Sequence, residues 1–275
     1  MSKKITFYKY QGTGNDFIIT SDIYEVSTAQ IIKLCDRKYG VGADGLIVLK
    51  KNESVDFDMM YYNADGTESF CGNGSRCAVM HAKYLGWTED KCLFNSNDGK
   101  HTAIIEGEEV RLQMHDVDMV LVEDEGYILN TGSPHYIAYT EAIDELDLIT
   151  AAHAIRYNDT FSETGINVNY LEARNGILYI RTYERGVEDE TLSCGTGVTA
   201  AAIAHYLEKE STLKKVSQKI QTKGGPLTVT FEKKQKTFEN IYLCGPAVRV
   251  YEGKNNPKFK AKLKVFTTRD THILD

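Results

Sequence analysis

Apolar and polar positions alternate over residues 5–10, which predicts a strand, and an extended pattern resumes over 17–20 after a turn at 11–16. Ser27 or Thr28 can cap a helix reaching about Tyr39, where Gly40 would end it. Apolar runs over 46–49 and 57–62 predict two more strands, and residues 63–67 are turn-like. A helix opens after Cys71 and runs to Leu85, with Gly86 as a fitting C-cap. Short strands are expected over 93–95, 102–106 and 110–114, around Asn97-Asp98-Gly99 and Gly107. Residues 116–126 are acidic and aperiodic. Helices return at 146–157 and after Cys194 as far as Leu207, and residues 245–252 read as a last strand.

The second half restates the first. Thr131-Gly132 repeats Thr13-Gly14, and the segment from Tyr183 to Gly186 repeats that from Tyr62 to Gly66. Cys194 repeats Cys71, and Gly225 repeats Gly99. The landmarks keep their order at an offset of about 120 residues, the mark of an internal duplication. Each copy mixes short strands with two helices, so the expected class is α/β (α+β) rather than doubly wound. The expected domains are residues 1–117, 118–252 and an extension at 253–275 with no counterpart in the first copy.

Composition narrows the function. The 275 residues are 42% hydrophobic and 26% charged, ordinary for a globular chain of about two domains. A net charge of −7 argues against nucleic acid or an anionic membrane as the main partner. No apolar run approaches the roughly 18 residues of a membrane span. The start, Met1-Ser-Lys-Lys-Ile5, lacks the apolar core of a secretory signal, so a reduced cytoplasmic setting is expected. Six scattered cysteines, without Cys-x-x-Cys or zinc-spaced histidines, predict neither a disulfide framework nor a metal site.

Gly40-Val-Gly42-Ala-Asp44-Gly45 matches a dinucleotide fingerprint in letters only. A helix precedes it and a strand follows, the reverse of what that site needs. The chemistry is expected instead at Cys71-Gly72-Asn73-Gly74 and Cys194-Gly195-Thr196-Gly197. Each cysteine stands at a helix start, where unpaired N–H groups and the helix dipole favour a thiolate. Two such groups across one pocket suit proton removal from one face of a carbon and delivery to the other. A thiol hydrolase pairing one cysteine with His135 and a redox-responsive binding protein are the competing readings. Cys35, Cys77, Cys92 and Cys244 are expected to be small buried hydrophobes.

These residues carry a resemblance. Gly12-Thr-Gly-Asn-Asp-Phe17, Asn63-Ala-Asp-Gly66, Cys71-Gly-Asn-Gly-x-Arg76, Pro134-His135, Asn167-Val-Asn169, Glu184-Arg-Gly186 and Cys194-Gly-Thr-Gly197 resemble the diaminopimelate epimerase family. Thr222-Lys-Gly-Gly225 and Gly245-Pro-Ala247 extend the likeness to about residue 252. The resemblance implies two pseudo-symmetric domains, each a strongly curved mixed sheet around a central helix, with the active site in the cleft between them. It implies interconversion of LL- and meso-diaminopimelate with no cofactor and no metal, by a homodimer. Cys71 and Cys194 fall on the catalytic cysteines, and His135 and Glu184 on residues that support catalysis. Asn15, Asn63, Asn167 and Arg185 fall on substrate-contacting positions. Gly72, Asn73, Gly195 and Thr196 fall on the N–H donors for the reacting carboxylate. Ser133 stands where many members have Asn, and Gly45 where some have Gln.

Overall fold

A computed structural model describes residues 5–22, 25–123, 126–255 and 262–265. The chain forms two compact units. One draws on residues 1–112 and those from Pro246 onward, the other on Gln113–Gly245.

The first unit begins with β1 (Ile5–Gly12), β2 (Asn15–Thr20), α1 (Thr28–Cys35), β3 (Gly45–Lys51) and β4 (Phe57–Asn63). It continues with α2 (Gly72–Tyr84), β5 (Lys91–Ser96), β6 (Gly99–Glu106) and β7 (Glu109–Gln113). The second unit holds β8 (Val120–Glu123), β9 (Gly126–Asn130), β10 (Pro134–Tyr139), α3 (Leu148–Arg156), β11 (Asn167–Arg174), β12 (Ile177–Glu184) and β13 (Asp189–Thr191). After these come α4 (Gly195–Glu208), β14 (Lys215–Thr222), β15 (Gly225–Lys233) and β16 (Phe238–Pro246). β17 (Val248–Asn255) and β18 (Lys262–Val265) then return to the first unit.

Sheet pairing makes the duplication explicit. In the first unit the order is β17, β1, β2, β3, β4, β5, β6, β7, with β2/β3 and β4/β5 parallel and the other pairs antiparallel. In the second it is β8, β9, β10, β11, β12, β14, β15, β16, with β10/β11 and β12/β14 parallel. The parallel pairs fall at the same two places, and each is crossed by a helix. α1 and α3 make the first crossover, α2 and α4 the second. A parallel pair needs such a crossover.

The second crossover helix of each unit is the central one. α4 is buried from Gly195 to Tyr206 on every face and contacts β9, β10, β11, β12, β14 and β15. Its Ala200–Ala202 run lets strands approach from all sides, and a helix apolar all round belongs inside a core. α2 contacts β1, β2, β3, β4, β6 and β17 in the same way. α1 covers the outer face of its sheet, packing Ile31 and Cys35 on Ile18, Leu46 and Val48. Phe17 and Ile47 reach the inner face, beside Gly74 of α2. Cover on both faces explains the unbroken apolar run of β3. α3 does for the second unit what α1 does for the first, packing Leu148 and Ala152 on Tyr136, Val168 and Tyr183. Cys35, Cys77, Cys92 and Cys244 are buried as expected, and burial pushes the Cys35 thiol up to about 11 and Cys92 to about 12.

Three expectations change. α1 stops at Cys35, not near Tyr39, because Asp36 leaves the helix and its Oδ1 accepts from the N–H groups of Lys38 and Tyr39. The aperiodic stretch 116–126 contains β8, which pairs with β9. The last strand was expected in the domain 118–252. β17 instead runs to Asn255 and pairs antiparallel with β1, so the units divide near residues 112 and 245. Within the expected extension, 262–265 form β18 against β17, while 256–261 and 266–275 lie outside the described residues.

His81 is fully buried in α2, with Nδ1 3.3 Å from the Tyr10 hydroxyl. Burial, then Arg249, lowers its pKa from 6.5 to about 3. The unfolded chain therefore takes up this proton first as pH falls, and stability declines from about pH 6.5 towards pH 3. His81→Gln should flatten that decline by about 1.4 kcal/mol per pH unit, read from denaturant unfolding at a series of pH values.

Candidate active site

Cys71 is the N-cap of α2, in extended backbone, and its Sγ accepts from the Gly74 N–H at 3.4 Å. The N–H groups of Gly72 and Asn73 open the helix, where no intrahelical carbonyl can reach them. Asn15, at the start of β2, faces the sulfur. The Cys71 thiol donates to Asn15 Oδ1 at 3.6 Å, and Asn73 Nδ2 donates to the same oxygen at 3.3 Å. Asn15 Nδ2 donates to Asp44 Oδ2 at 2.6 Å, which fixes which way the amide points.

Asp44 is anchored in turn by the Asp16 N–H at 3.1 Å and by Arg37 Nη2 at 2.7 Å. Arg37 grips Asp16 with both terminal nitrogens, and buried Lys9 pairs with Asp16 at 2.6 Å. Burial alone would raise the Asp16 pKa, but the Arg37 and Lys9 hydrogen bonds outweigh it and hold the carboxyl down at about 2. The glycine-rich stretch 40–45 is thus a helix-to-strand connection, as expected, and it also carries the aspartate that holds Asn15. Gly45 projects nothing into this region, because a Cβ there would stand 2.4 Å from the Tyr61 ring. Asn63 ends β4 and ties its turn together, with Nδ2 donating to Thr67 Oγ1 at 3.0 Å and Ser69 Oγ at 3.2 Å.

Cys194 is the N-cap of α4, the equivalent position, with nearly the same backbone conformation. Its surroundings differ. The Sγ lies 3.4 Å from Thr196 Oγ1 and makes no capping bond to its own helix. Thr196 Oγ1 lies 2.9 Å from His135 Nε2, so imidazole and sulfur communicate through a hydroxyl. His135 is completely buried on β10, and burial, reinforced by Arg185, lowers its pKa to about 3. A neutral imidazole reaching the sulfur through Thr196 is not the cysteine–histidine ion pair that a thiol hydrolase needs.

Asn167 opens β11 and uses its amide on the protein. Nδ2 donates to Ser133 Oγ and to the Pro134 carbonyl, both at 2.8 Å, and Oδ1 accepts from the Arg185 N–H at 2.9 Å. This staples the turn carrying Glu184 and Arg185 to the start of β10, and gives Ser133 a role as acceptor. Glu184 ends β12 opposite Asp189, and exposed Arg185 donates to the Thr164 carbonyl at 2.9 Å.

Within the first unit, then, Cys71, Asn15 and Asn73 meet, with Asn63 in a neighbouring turn of its own. Within the second, Cys194, Thr196 and His135 form one line, and Asn167 supports Arg185. Sequence reasoning named Asp44, Thr131 and Asn169 within motifs but gave them no role: Asp44 holds Asn15, Thr131 donates to the Thr196 carbonyl and Asn169 bonds His135. Asp44 lies in the glycine-rich connection between α1 and β3, where its spacing carries no sign of the side chain it holds. Asn169 shares the inward-facing period of β11 with Asn167, which was the signal available.

Comparison with known proteins agrees with this architecture. The family model described as diaminopimelate epimerase matches residues 7–120 and 127–250. A diaminopimelate epimerase from Flavobacterium psychrophilum is 45% identical over 252 residues, covering 89% of this chain and 98% of that one. The enzyme of the same name from Chlorobaculum tepidum is 41% identical over 255 residues, covering 88% and 98%. Among solved structures, a PhzF-family phenazine biosynthesis protein from Bacillus anthracis has a TM-score of 0.70 at 14% identity, over 93% of this chain and 100% of that one. A hydroxyproline epimerase from Agrobacterium vitis has a TM-score of 0.68 at 13% identity, over 94% of both chains. At those identities the likeness is one of fold. With the family model spanning both copies of the duplicated unit, the chain belongs to the diaminopimelate epimerase family of isomerases.

Proposed function

We propose that this chain interconverts LL- and meso-diaminopimelate for lysine and peptidoglycan-precursor synthesis, using two cysteines as its acid and base. One observation carries the reading. Cys71 and Cys194 cap the central helices α2 and α4 at equivalent positions of a duplicated unit. In the proposed reaction one thiolate removes the α-proton from one face of the carbon. The electron pair left behind delocalises into the α-carboxylate, which the opening N–H groups of Gly72, Asn73, Gly195 and Thr196 stabilise. The opposing thiol delivers its proton to the other face and becomes the thiolate. The reverse reaction exchanges the roles, so the chemistry calls for a matched pair.

Neither pyridoxal phosphate nor a metal takes part in this scheme. His135 and Glu184 orient the reacting groups, and Asn15, Asn63, Asn167 and Arg185 serve the substrate directly or through their neighbours. A cytoplasmic homodimer completes the proposal; among the described residues, no helix is long and apolar enough to cross a membrane.

The test is epimerisation of LL-diaminopimelate by purified protein in deuterated water without added cofactor. Deuterium should enter the inverted α-carbon. Oxidation should abolish activity and a reducing agent restore it. A requirement for pyridoxal phosphate, or preference for another amino acid in a substrate panel, would overturn the assignment.

A further inference from the structure

Asn169 touches neither cysteine, yet it governs the line that ends at Cys194. It is completely buried, and its amide is held at both ends. Oδ1 accepts from Thr182 Oγ1 at 2.9 Å, and Nδ2 donates to the Tyr136 carbonyl at 3.0 Å. Turning the amide over would set Oδ1 against that carbonyl, two acceptors with no proton between them. The amide therefore has one orientation, and its remaining N–H points at His135 Nδ1, 3.1 Å away.

That N–H settles which nitrogen of the imidazole carries hydrogen. Nδ1 accepts, so it is bare, and a neutral imidazole then bears its proton on Nε2. Burial and the neighbouring Arg185 keep the ring neutral. The Nε2–H donates to Thr196 Oγ1 at 2.9 Å. With that oxygen accepting, the single hydroxyl hydrogen is free to point at Cys194 Sγ, 3.4 Å away. Thr196 is itself held in place, since Thr131 Oγ1 donates to its carbonyl at 2.7 Å.

We infer that Asn169 is a positioning residue that fixes the His135 proton on Nε2 and so turns the Thr196 hydroxyl onto the Cys194 sulfur as a standing donor. A hydroxyl donating to sulfur stabilises thiolate over thiol. On the first-unit side the sulfur is set differently: Cys71 donates to the Asn15 amide oxygen at 3.6 Å and accepts from the Gly74 N–H at 3.4 Å. The Thr196 hydroxyl thus favours the thiolate form of Cys194. This role rests on Cys194 acting as proposed above, but the tautomer can be measured without substrate.

Nitrogen-15 NMR of histidine-labelled protein should find the His135 proton on Nε2; a proton on Nδ1 overturns the inference. Alkylation of Cys194 by iodoacetamide, followed peptide by peptide, reads the second link. Thr196→Val should slow it about tenfold at neutral pH, while Thr196→Ser, which keeps the hydroxyl, should not. Asn169→Leu should also slow it in the parent protein but have no further effect in the Thr196→Val background. An Asn169→Leu effect that persists without the hydroxyl would mark a merely structural residue and refute the inference. If Asn169→Leu fails to fold, the NMR signal and the Val/Ser pair still decide. Neither depends on epimerisation, so failure of the proposed reaction would leave these results intact, and the converse.

Discussion

Cys71→Ala and Cys194→Ala should each cost about a thousandfold or more in the rate of epimerisation, because in the proposed scheme each removes one of two proton-transfer groups. The two losses should not be alike in isotope exchange. A protein with one cysteine can still take the α-proton from its own face and return solvent deuterium to that face without inversion. Cys71→Ala should therefore wash deuterium slowly into one stereoisomer, and Cys194→Ala into the other. Mass spectrometry of recovered LL- and meso-diaminopimelate reads both. Full epimerisation by either variant, or exchange into the same isomer by both, would sink the two-base account. Both variants should fold, since each cysteine is a half-buried N-cap rather than a core residue.

Gly197→Ala should be far more harmful than the equivalent Gly74→Ala. Helix propensity favours alanine by about 1 kcal/mol at both sites, so packing decides. At Gly197 an added Cβ would lie 2.6 Å from Asn169 Oδ1 and 3.2 Å from His135 Cε1. The amide cannot step aside without breaking its bonds to Thr182, Tyr136 and His135. Relief has to come from backbone shifts that cost about 1–3 kcal/mol. The same displacement moves His135 and Thr196, so kcat should fall about a hundredfold. At Gly74 the contacts are 3.3 Å to Ile47, 3.4 Å to Phe17 and 3.5 Å to Cys71 Cβ, which a flexible apolar core absorbs. Gly74→Ala should keep near-parent stability. Thermal melts and steady-state rates of the pair test this, and equal damage at both sites would refute it.

The duplication and the two cysteine caps were legible because they depend on local signals, a glycine-rich loop and a helical period, that repeat in register. The cap of α1 was legible to within one residue: Ser27 or Thr28 was expected, and it is Ser27 that forms a capping box with Gln30. What was not legible depends on distant partners. Nothing local to Asp36 distinguishes a helix end from one more turn; its side chain decides by bonding the next two N–H groups but one. β17 reads as a strand, but its partner lies at the other end of the sequence. Asp44 and Asn169 look like ordinary turn and strand residues until the strands beside them are paired. Their work is to aim another side chain, and aim is not written in spacing.

The route of the chain has a consequence for its synthesis. The second unit is one continuous segment, but the first is closed by β17, whose Val248–Asn255 pair with Gln11–Ile5 of β1. A chain emerging N-terminus first thus completes its first unit last. Until β17 leaves the ribosome, β1 presents an unpaired edge, the kind of surface on which nascent chains join one another. A stop codon between residues 197 and 248 would make that temporary hazard permanent, even though every residue of the proposed site had already been translated.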